Sequence, residues 1–445
     1  MANISSFSKN LYQNLKSEYS NHPSLLLVLV ALLCIPLSYA YNSISLILLT
    51  LITLITFKKE NFKFEINLIL PILLYLLMLL SITWTIDFER TTNALSKELP
   101  LLLIPICFMA FRSFSTLEKE KIIKRFSYGI VFYSIFYLAK ASFLFIISKD
   151  TSVFFYHELV TKDVNAIHVS VYVAISFFYF LAKIQKTTFD KIALGILFLM
   201  VFLLSSKNII VVFMSLLVCY QLFYSKTSKK LRLKNIILLI VLLLFLPFVG
   251  KIKERFKEEY ETIMTDSSVN DVISKGSEKV YNVSIKQAWT NTTFKPNDYF
   301  PGTAFRVYQF RIFIELLQEE SIFWTGFGLD ASYSKIAEKG VHYNLFLGNE
   351  AQQGYQTKNF HNQYVQIFAE LGIFGLLLLL TMLFLSLRNA LKLNSFPQIA
   401  FSVLIISLFI TESFLWRQRG ITFFILMYCI FNSIIKSEKN NYSLV

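Results

Sequence analysis

The sequence predicts an all-α integral membrane protein with about twelve transmembrane helices and one large loop on the non-cytoplasmic side. Hydrophobic residues make up 55% of the 445 residues, and the mean hydropathy is +0.54, which is more apolar than ordinary soluble domains are. The apolar residues fall in blocks long enough for a helix to cross a bilayer. Lys and Arg concentrate in alternate short loops between these blocks, as they do when they set the orientation of a membrane protein.

About twelve apolar blocks have the length and composition of membrane-spanning helices. They cover residues 24–42, 43–57, 66–86, 97–111, 127–147, 166–183, 191–206, 208–224, 235–250, 363–387, 396–415 and 419–436. The second, fourth and seventh blocks are short, so the count has a range of about eleven to thirteen.

Cationic residues of the short loops fall on one side of the predicted membrane domain. They include Lys58, Lys59, Arg112, Lys119, Lys183, Lys186, Lys229, Lys230, Arg388 and Lys392. Both termini fall on the same side, so the positive-inside rule makes them cytoplasmic. The formal charge of +14 is thereby explained by orientation in the membrane, and we expect no nucleic-acid partner.

The same alternation divides the chain into three parts. Residues 1–250 form an N-terminal membrane part with about nine helices, and residues 363–445 form a C-terminal membrane part with about three. Between them, residues 251–362 form a loop domain outside the cytoplasm. This loop holds 13 Lys and Arg against 14 Asp and Glu, so it is nearly neutral and is not a polybasic lipid-binding arm.

One segment of the loop has the periodicity of an amphipathic helix. Between Arg306 and Leu317, the apolar residues recur at spacings of three and four, as on one face of a helix. These residues are Val307, Phe310, Phe313, Ile314 and Leu317. We expect this helix to be amphipathic and to lie at the outer membrane surface.

Several polar and ionisable residues at the predicted outer face are candidates for function. A polar group at membrane level is costly to desolvate, so it is a functional candidate by default. The set comprises His168, Lys207, Arg306, Arg311, His361, Asn362, Glu412, Arg417 and Arg419. Their cations run against the positive-inside trend and together predict an outward-facing cationic pocket for an anion. A lipid diphosphate is the obvious ligand, because Arg and Lys bind phosphate oxygens strongly.

Structural interpretations compete with the functional ones for some of these residues. Arg417 and Arg419 also fit interfacial anchors that snorkel to the headgroups, and Lys207 also fits a plain turn residue. His168 fits helix packing better than catalysis, and Arg311 has a carboxylate partner four residues on. For His361 a functional role is favoured, because histidine titrates most easily near neutral pH.

The loop and the span after it resemble the O-antigen ligase family, which includes related polysaccharide polymerases and protein O-glycan ligases. The similarity is carried by Arg306, then Gly326-Phe327-Gly328, then His361-Asn362, then Glu370-Leu371-Gly372-Ile373-Phe374-Gly375. Residues 80–87 (LSITWTID) resemble the family's third-span exit, and Thr411-Glu412-Ser413 resembles a late-span motif. One departure is that Ser206-Lys207 stands where the family commonly has Ser-Arg, which keeps the charge but loses the bidentate fork.

This resemblance implies a GT-C-type, metal-independent membrane glycosyltransferase that needs no cofactor. Its donor would be a glycan on undecaprenyl diphosphate at the periplasmic face of the bacterial inner membrane, with membrane lipid around it. The acceptor would be a hydroxyl on lipid A-core or another glycoconjugate. His361 would act as the base, or would instead only orient the diphosphate, and Arg306 would stabilise the leaving diphosphate. The residues assigned to assist with the diphosphate are Lys207, Arg311, Arg417 and Arg419, with Asn362, Glu412 and His168 as further candidates.

Three other functions stay open at this point. A polymerase would extend the glycan on its lipid carrier, and a protein glycan ligase would transfer it to Ser or Thr of a secreted protein. A transporter or flippase would line a path across the bilayer with charged groups. Against transport, the candidate residues cluster at the outer face, and no matching halves with broken helices are evident.

Overall fold

The computed structural model describes residues 22–204, 206–245, 260, 263, 265–270, 273–274, 279–348 and 353–433. Most of these residues are helical. The helices are α1 (Pro23–Cys34), α2 (Tyr39–Ile55), α3 (Ile66–Leu80), α4 (Phe88–Glu98), α5 (Pro100–Ala110), α6 (Thr116–Ser148), α7 (Tyr156–Leu159), α8 (Ala166–Ala182), α9 (Thr188–Leu203), α10 (Lys207–Cys219), α11 (Lys229–Phe245), α12 (Ile285–Thr290), α13 (Gly302–Glu319), α14 (Ser332–His342), α15 (Gln363–Lys392), α16 (Phe396–Thr411) and α17 (Gln418–Asn432).

Membrane-spanning length and hydropathy occur together in five helical stretches of the described chain. They are Ile66–Thr83, Phe88–Ala110, Thr116–Ser148, Lys207–Tyr224 and Gln363–Lys392. Helices α1, α2, α8 and α16 are apolar but shorter. The prediction of an all-α membrane protein is therefore confirmed, whereas the number of about twelve spans stays a prediction.

Some helices begin or end at other residues than the predicted spans, because a proline or a capping residue sets the helix end. Predicted blocks 24–42 and 43–57 abut, but α1 ends at Cys34 and α2 begins at Tyr39. Pro36 between them has no backbone N–H to donate to the carbonyl four residues back, which favours a helix end there. The fifth predicted span begins at residue 127, yet α6 begins at Thr116, where Ser115 and Glu118 form a capping box. The sequence prediction instead places the charged first turns of α6, which include Lys119, in a short loop.

The large loop has a hydrophobic core of its own and a small sheet. Strands β1 (Ser268–Val269), β2 (Tyr281–Asn282) and β3 (Asp298–Tyr299) form a three-stranded sheet, antiparallel between the first two and parallel between the last two. The sheet was not predicted, because two-residue strands leave no periodicity to detect. The core packs aromatic rings from distant parts of the loop. Its members include Phe294, Phe300, Tyr308, Phe313, Phe327, Tyr343 and Phe360.

Helix α13 confirms the predicted helix of the loop, but its buried face only partly coincides with the predicted apolar stripe. The buried side chains are Ala304, Phe305, Tyr308, Gln309, Ile312, Phe313 and Leu316. Phe310, predicted to belong to the apolar stripe, is 45% exposed, and Val307 is half-buried. Tyr308 and Gln309 are buried although neither belongs to the predicted apolar stripe. The buried face of α13 is therefore shifted relative to that stripe.

Helix α15 is kinked at Gly372, whose φ of 64° and ψ of −162° fall in a region that is essentially restricted to glycine. At the kink, the N–H of Ile373 donates to the carbonyl of Phe323 at 2.9 Å. The carbonyls that the kink releases accept hydrogen bonds from the loop, from Phe327 N–H to Ala369 and from Gly328 N–H to Glu370, both at 2.9 Å. We call this contact, residues 323–328 against residues 369–373, the glycine joint.

The segment that leaves α3 also belongs to this joint. Trp84 Nε1 donates to the carbonyl of Thr325 at 3.0 Å, and Ile86 N–H donates to the carbonyl of Phe327 at 3.0 Å. Three stretches that carry the family resemblance, residues 80–87, 326–328 and 370–375, therefore meet in one place. In this fold, these three stretches connect the loop to the membrane helices through backbone and side-chain hydrogen bonds.

Candidate active site

A cavity of about 1010 Å³ lies between the large loop and the ends of membrane helices. Its walls come from the N-terminus of α10, the C-terminus of α16, helices α12 and α13, and the segment before α15. Five residues predicted from the sequence line it together: Lys207, Arg306, His361, Asn362 and Glu412. These residues are up to about two hundred positions apart in the chain, so the fold gathers them.

Arg306 is fixed in the cavity wall by three hydrogen bonds. Its Nε donates to the carbonyl of Thr411 at 2.9 Å, its Nη1 to the carbonyl of Gly302 at 2.9 Å, and its Nη2 to Oε1 of Glu412 at 3.1 Å. A guanidinium carries five N–H donors, so part of its donor capacity is left for a ligand. The anchoring contacts hold the cation in one orientation toward the cavity.

His361 lies against the same carboxylate. The distance from its Nδ1 to Oε2 of Glu412 is 3.8 Å, and the ring packs edge-on against Phe305 with centroids 5.7 Å apart. Burial raises the pKa of the Glu412 carboxyl, which lies beyond the end of α16. The adjoining His361 and Arg306 outweigh that effect and hold the pKa below its usual value. The carboxylate is therefore charged where it lies beside His361; we call His361 and Glu412 the acid–base pair.

The backbone around His361 is held in an unusual conformation. Its φ is +48°, in the left-handed region that side chains other than glycine rarely adopt. Asn359 accepts the His361 N–H at 3.0 Å, and Asn362 caps α15 by accepting from the N–H groups of Tyr364 and Val365. Asn362 thus caps α15 in addition to lining the cavity.

Buried Gln366 supports the acid–base pair from behind. Its Oε1 accepts from the N–H of Phe360 at 3.2 Å and from Oγ of Ser413 at 3.4 Å. Each of these residues is the chain neighbour of one member of the pair. The Nε2 of Gln366 donates to Glu370, which fixes the amide orientation. One buried side chain therefore ties together the two segments that carry the pair.

Lys207 is the first residue of α10, and the N-terminal end of a helix favours anions through the helix dipole. The next residue, Asn208, fixes this helix end to α16: its Nδ2 donates to the carbonyl of Ser407 at 2.8 Å and to Oγ1 of Thr411 at 2.9 Å. Ser206 at the N-cap makes no side-chain capping hydrogen bond. The helix end and the lysine together place positive potential at the cavity wall.

Arg311, although predicted to assist with the diphosphate, is placed in the interior of the loop. It donates to Glu315 at 2.9 Å, to the carbonyl of Asn291 at 2.7 Å and to the hydroxyl of Tyr343 at 2.9 Å. Glu315 also accepts from Lys339. Burial raises the pKa of Glu315, but these donors outweigh it and lower the pKa below its usual value. The structure thus gives Arg311 the role of a structural cation.

Arg417 and Arg419 do not line the cavity either. Arg419 is buried, donates to the carbonyls of Asp163 and Leu37, and lies over the Tyr39 ring at 4.1 Å. Arg417 is exposed at the start of α17. Arg419 does not extend outward as a snorkelling anchor would, because its side chain is buried and its guanidinium donates to backbone carbonyls.

His168 is buried in α8 and packs against Phe414, with ring centroids 4.3 Å apart. This position agrees with the sequence-based interpretation of His168 as a helix-packing residue. The contact places His168 behind the segment that follows Glu412 and outside the cavity lining.

Further cavity-lining residues were missed from the sequence. Lys358 adds a cation three residues before His361, and Tyr156, Tyr299, Trp289 and Phe310 contribute aromatic rings. Nothing in the local pattern separates Lys358 from other loop lysines. The rings of Trp289 and Phe310 could have been noticed only by asking why a polar loop carries large apolar residues.

Within the described parts of the chain, no group of three or more His, Cys, Asp or Glu residues could hold a metal ion. Comparison with family models finds that residues 192–380 match the family described as O-Antigen ligase. The matched segment begins in α9 and ends in α15, so it includes Lys207, Arg306 and His361. No curated protein matches the chain.

Proposed function

We propose that this chain, a member of the O-antigen ligase family by its residues 192–380, is a GT-C-type membrane glycosyltransferase that uses a lipid-diphosphate donor. The donor is a glycan on undecaprenyl diphosphate, and the acceptor is a hydroxyl of lipid A-core or a similar glycoconjugate. The observation that carries the proposal is the meeting of Lys207, Arg306 and the acid–base pair in one cavity.

Cations at the cavity wall fit the leaving group of this reaction. As the bond between the anomeric carbon and the diphosphate oxygen breaks, negative charge grows on the diphosphate. Lys207, the N-terminus of α10 and the remaining N–H groups of Arg306 supply fixed positive potential for that charge. Because Arg306 is already anchored by three hydrogen bonds, little reorganisation is needed during the reaction.

The acid–base pair fits the other half of the reaction. The acceptor oxygen attacks the anomeric carbon, and its proton passes to Nε2 of His361. Glu412, on the Nδ1 side of the ring, stabilises the imidazolium that forms. Charge thus develops where a carboxylate, an arginine and a lysine are already placed, and we propose that the reaction needs no metal ion.

The orientation follows from the same proposal. Both termini are placed in the cytoplasm and the cavity at the periplasmic face of the inner membrane, where flipped donor and acceptor meet. A polymerase or a protein glycan ligase would use the same donor chemistry, so the three differ only in the acceptor. A deletion strain separates the first two, since loss of a ligase leaves long lipid-linked polymer and loss of a polymerase leaves single repeats.

Purified full-length protein with a lipid-diphosphate glycan and an acceptor provides the direct test. We expect His361→Ala and Arg306→Ala to abolish transfer while the protein remains in the membrane fraction, and we expect a chelator to have no effect. The matched controls are His342→Ala and Arg388→Ala, which change exposed residues outside the cavity lining. Near-normal transfer by either cavity variant would contradict the proposal, and inhibition by the chelator would contradict its metal independence.

A further inference from the structure

Two exposed aromatic rings stand side by side on the cavity wall. Trp289 of α12 and Phe310 of α13 both line the cavity, with ring centroids 6.4 Å apart and an interplanar angle of 25°. Trp289 is 46% exposed and Phe310 is 45% exposed, whereas Phe313, one turn further along α13, is 7% exposed. What distinguishes these two rings from other exposed apolar side chains is that they lie together on the wall of the cavity.

Both rings are mounted on rigid elements. Helix α12 begins with a capping box between Ser284 and Gln287, and Ala288, next to Trp289, is fully buried. Helix α13 is anchored in the loop core through Tyr308, also fully buried. The rings are therefore held in place before a ligand arrives, which lowers the entropic cost of binding.

Phe310 follows Arg306 by four residues on α13, so the two side chains are neighbours on one helix face. The Cβ atoms of Arg306 and Phe310 are therefore about 5–6 Å apart, roughly the width of one sugar ring. Thr303 and Lys358 line the same cavity and carry a hydroxyl and an ammonium group; the ammonium of Lys358 also donates to Oε1 of Gln353 at 3.1 Å. This combination of flat apolar faces and flanking hydrogen-bond partners matches a pyranose, whose ring has an apolar C–H face and hydroxyls at its rim.

We propose that Trp289 and Phe310 form an aromatic platform that binds the sugar nearest to the diphosphate of the donor. The inference rests on the proposed function and deepens it by assigning the saccharide part of the donor to this wall. A polyprenyl chain is a poorer match for the platform, because the polar groups around the rings would lose their hydration without gaining partners.

Binding to the full-length protein in lipid nanodiscs tests the platform with two probes. One is the lipid-linked glycan recovered from a strain that lacks this chain, and the other is sugar-free undecaprenyl diphosphate. We expect Trp289→Ala and Phe310→Ala each to weaken binding of the glycan-bearing probe by up to about tenfold. Neither variant should change binding of the sugar-free probe, and Trp289→Phe should restore most of the lost affinity.

Phe384→Ala is the matched control, because its ring on α15 is 64% exposed and lies outside the cavity lining. Arg306→Ala should weaken both probes, because it removes a contact to the diphosphate. Unchanged binding of the glycan-bearing probe to both platform variants would overturn the platform alone. Equal loss for both probes would also overturn it and would assign the rings to the lipid chain or the bilayer. Failure of the parent protein to bind either probe would overturn the proposed function, and the platform with it.

Discussion

Replacement of Gly372 by alanine should destabilise the protein strongly, because this residue forms the kink of α15. An added Cβ would lie 2.2 Å from the carbonyl oxygen of Trp324 and 2.3 Å from its carbonyl carbon. Both atoms belong to the backbone of the glycine joint, so neither can move aside as a flexible side chain could. The φ of 64° with a ψ of −162° adds a conformational penalty of its own.

Two energy terms give the size of the effect. A residue other than glycine in this backbone region costs about 1–3 kcal/mol. Overpacking against the backbone of residue 324 costs a further amount of about 1–3 kcal/mol. The expected loss in the free energy of unfolding is therefore about 2–6 kcal/mol, a large share of the 5–15 kcal/mol that is typical of folded proteins.

Thermal unfolding of the purified protein in detergent micelles measures this loss. Gly195→Ala is the matched control, since Gly195 lies inside α9 and an added Cβ would meet nothing within 4 Å. That change should stabilise the protein by about 0.5–1 kcal/mol. If Gly372→Ala melted at the temperature of the parent or of Gly195→Ala, the kink would not be the constraint described.

Three further changes test the loop and the acid–base pair. The lowered pKa of Glu315 contributes stability that is present above the ordinary carboxyl pKa and is lost as pH falls through the folded-state value. Glu315→Gln should therefore melt below the parent at pH 7, with a difference that shrinks below about pH 4.5; a constant difference would contradict this. Glu412→Gln should lower kcat about 100-fold at unchanged membrane abundance, and unchanged kcat in steady-state transfer assays would remove Glu412 from the mechanism. Gln366→Leu should lower kcat more than it raises KM for the donor, because it frees the segments behind the pair; equal effects on both would indicate a general loss of structure.

Much of the cavity was predictable from residue type and position. Lys207, Arg306, His361 and Glu412 were selected because charged groups at membrane level are costly, and the same cost favours bringing them together around one solvated cavity. The assignment of Arg311 to the diphosphate could not be judged from sequence. Its partners Asn291 and Tyr343 are 20 and 32 residues away, and such contacts leave no periodic signal.

The orientation of α13 and the kink in α15 could not be predicted from the sequence for a related reason. Hydrophobic periodicity placed Phe310 on the apolar stripe of α13, but the loop core buries Tyr308 and Gln309 of that helix instead, and Phe310 is 45% exposed. The glycine joint was visible in sequence only as motifs of the family resemblance. Its hydrogen bonds join residues 323–328 to residues 369–373 across about forty positions, so the kink at Gly372 could not be derived from the local sequence of α15.

The anchoring of Arg306 has a consequence for how the protein is made. Its partners Thr411 and Glu412 lie about one hundred residues downstream, and they emerge from the ribosome near the end of synthesis. Until then, a chain inserting into the membrane holds an arginine whose acceptors do not yet exist. The proposed catalytic arrangement is therefore completed among the last steps of biogenesis, and a chain that stops before residue 411 lacks it however well its earlier helices insert.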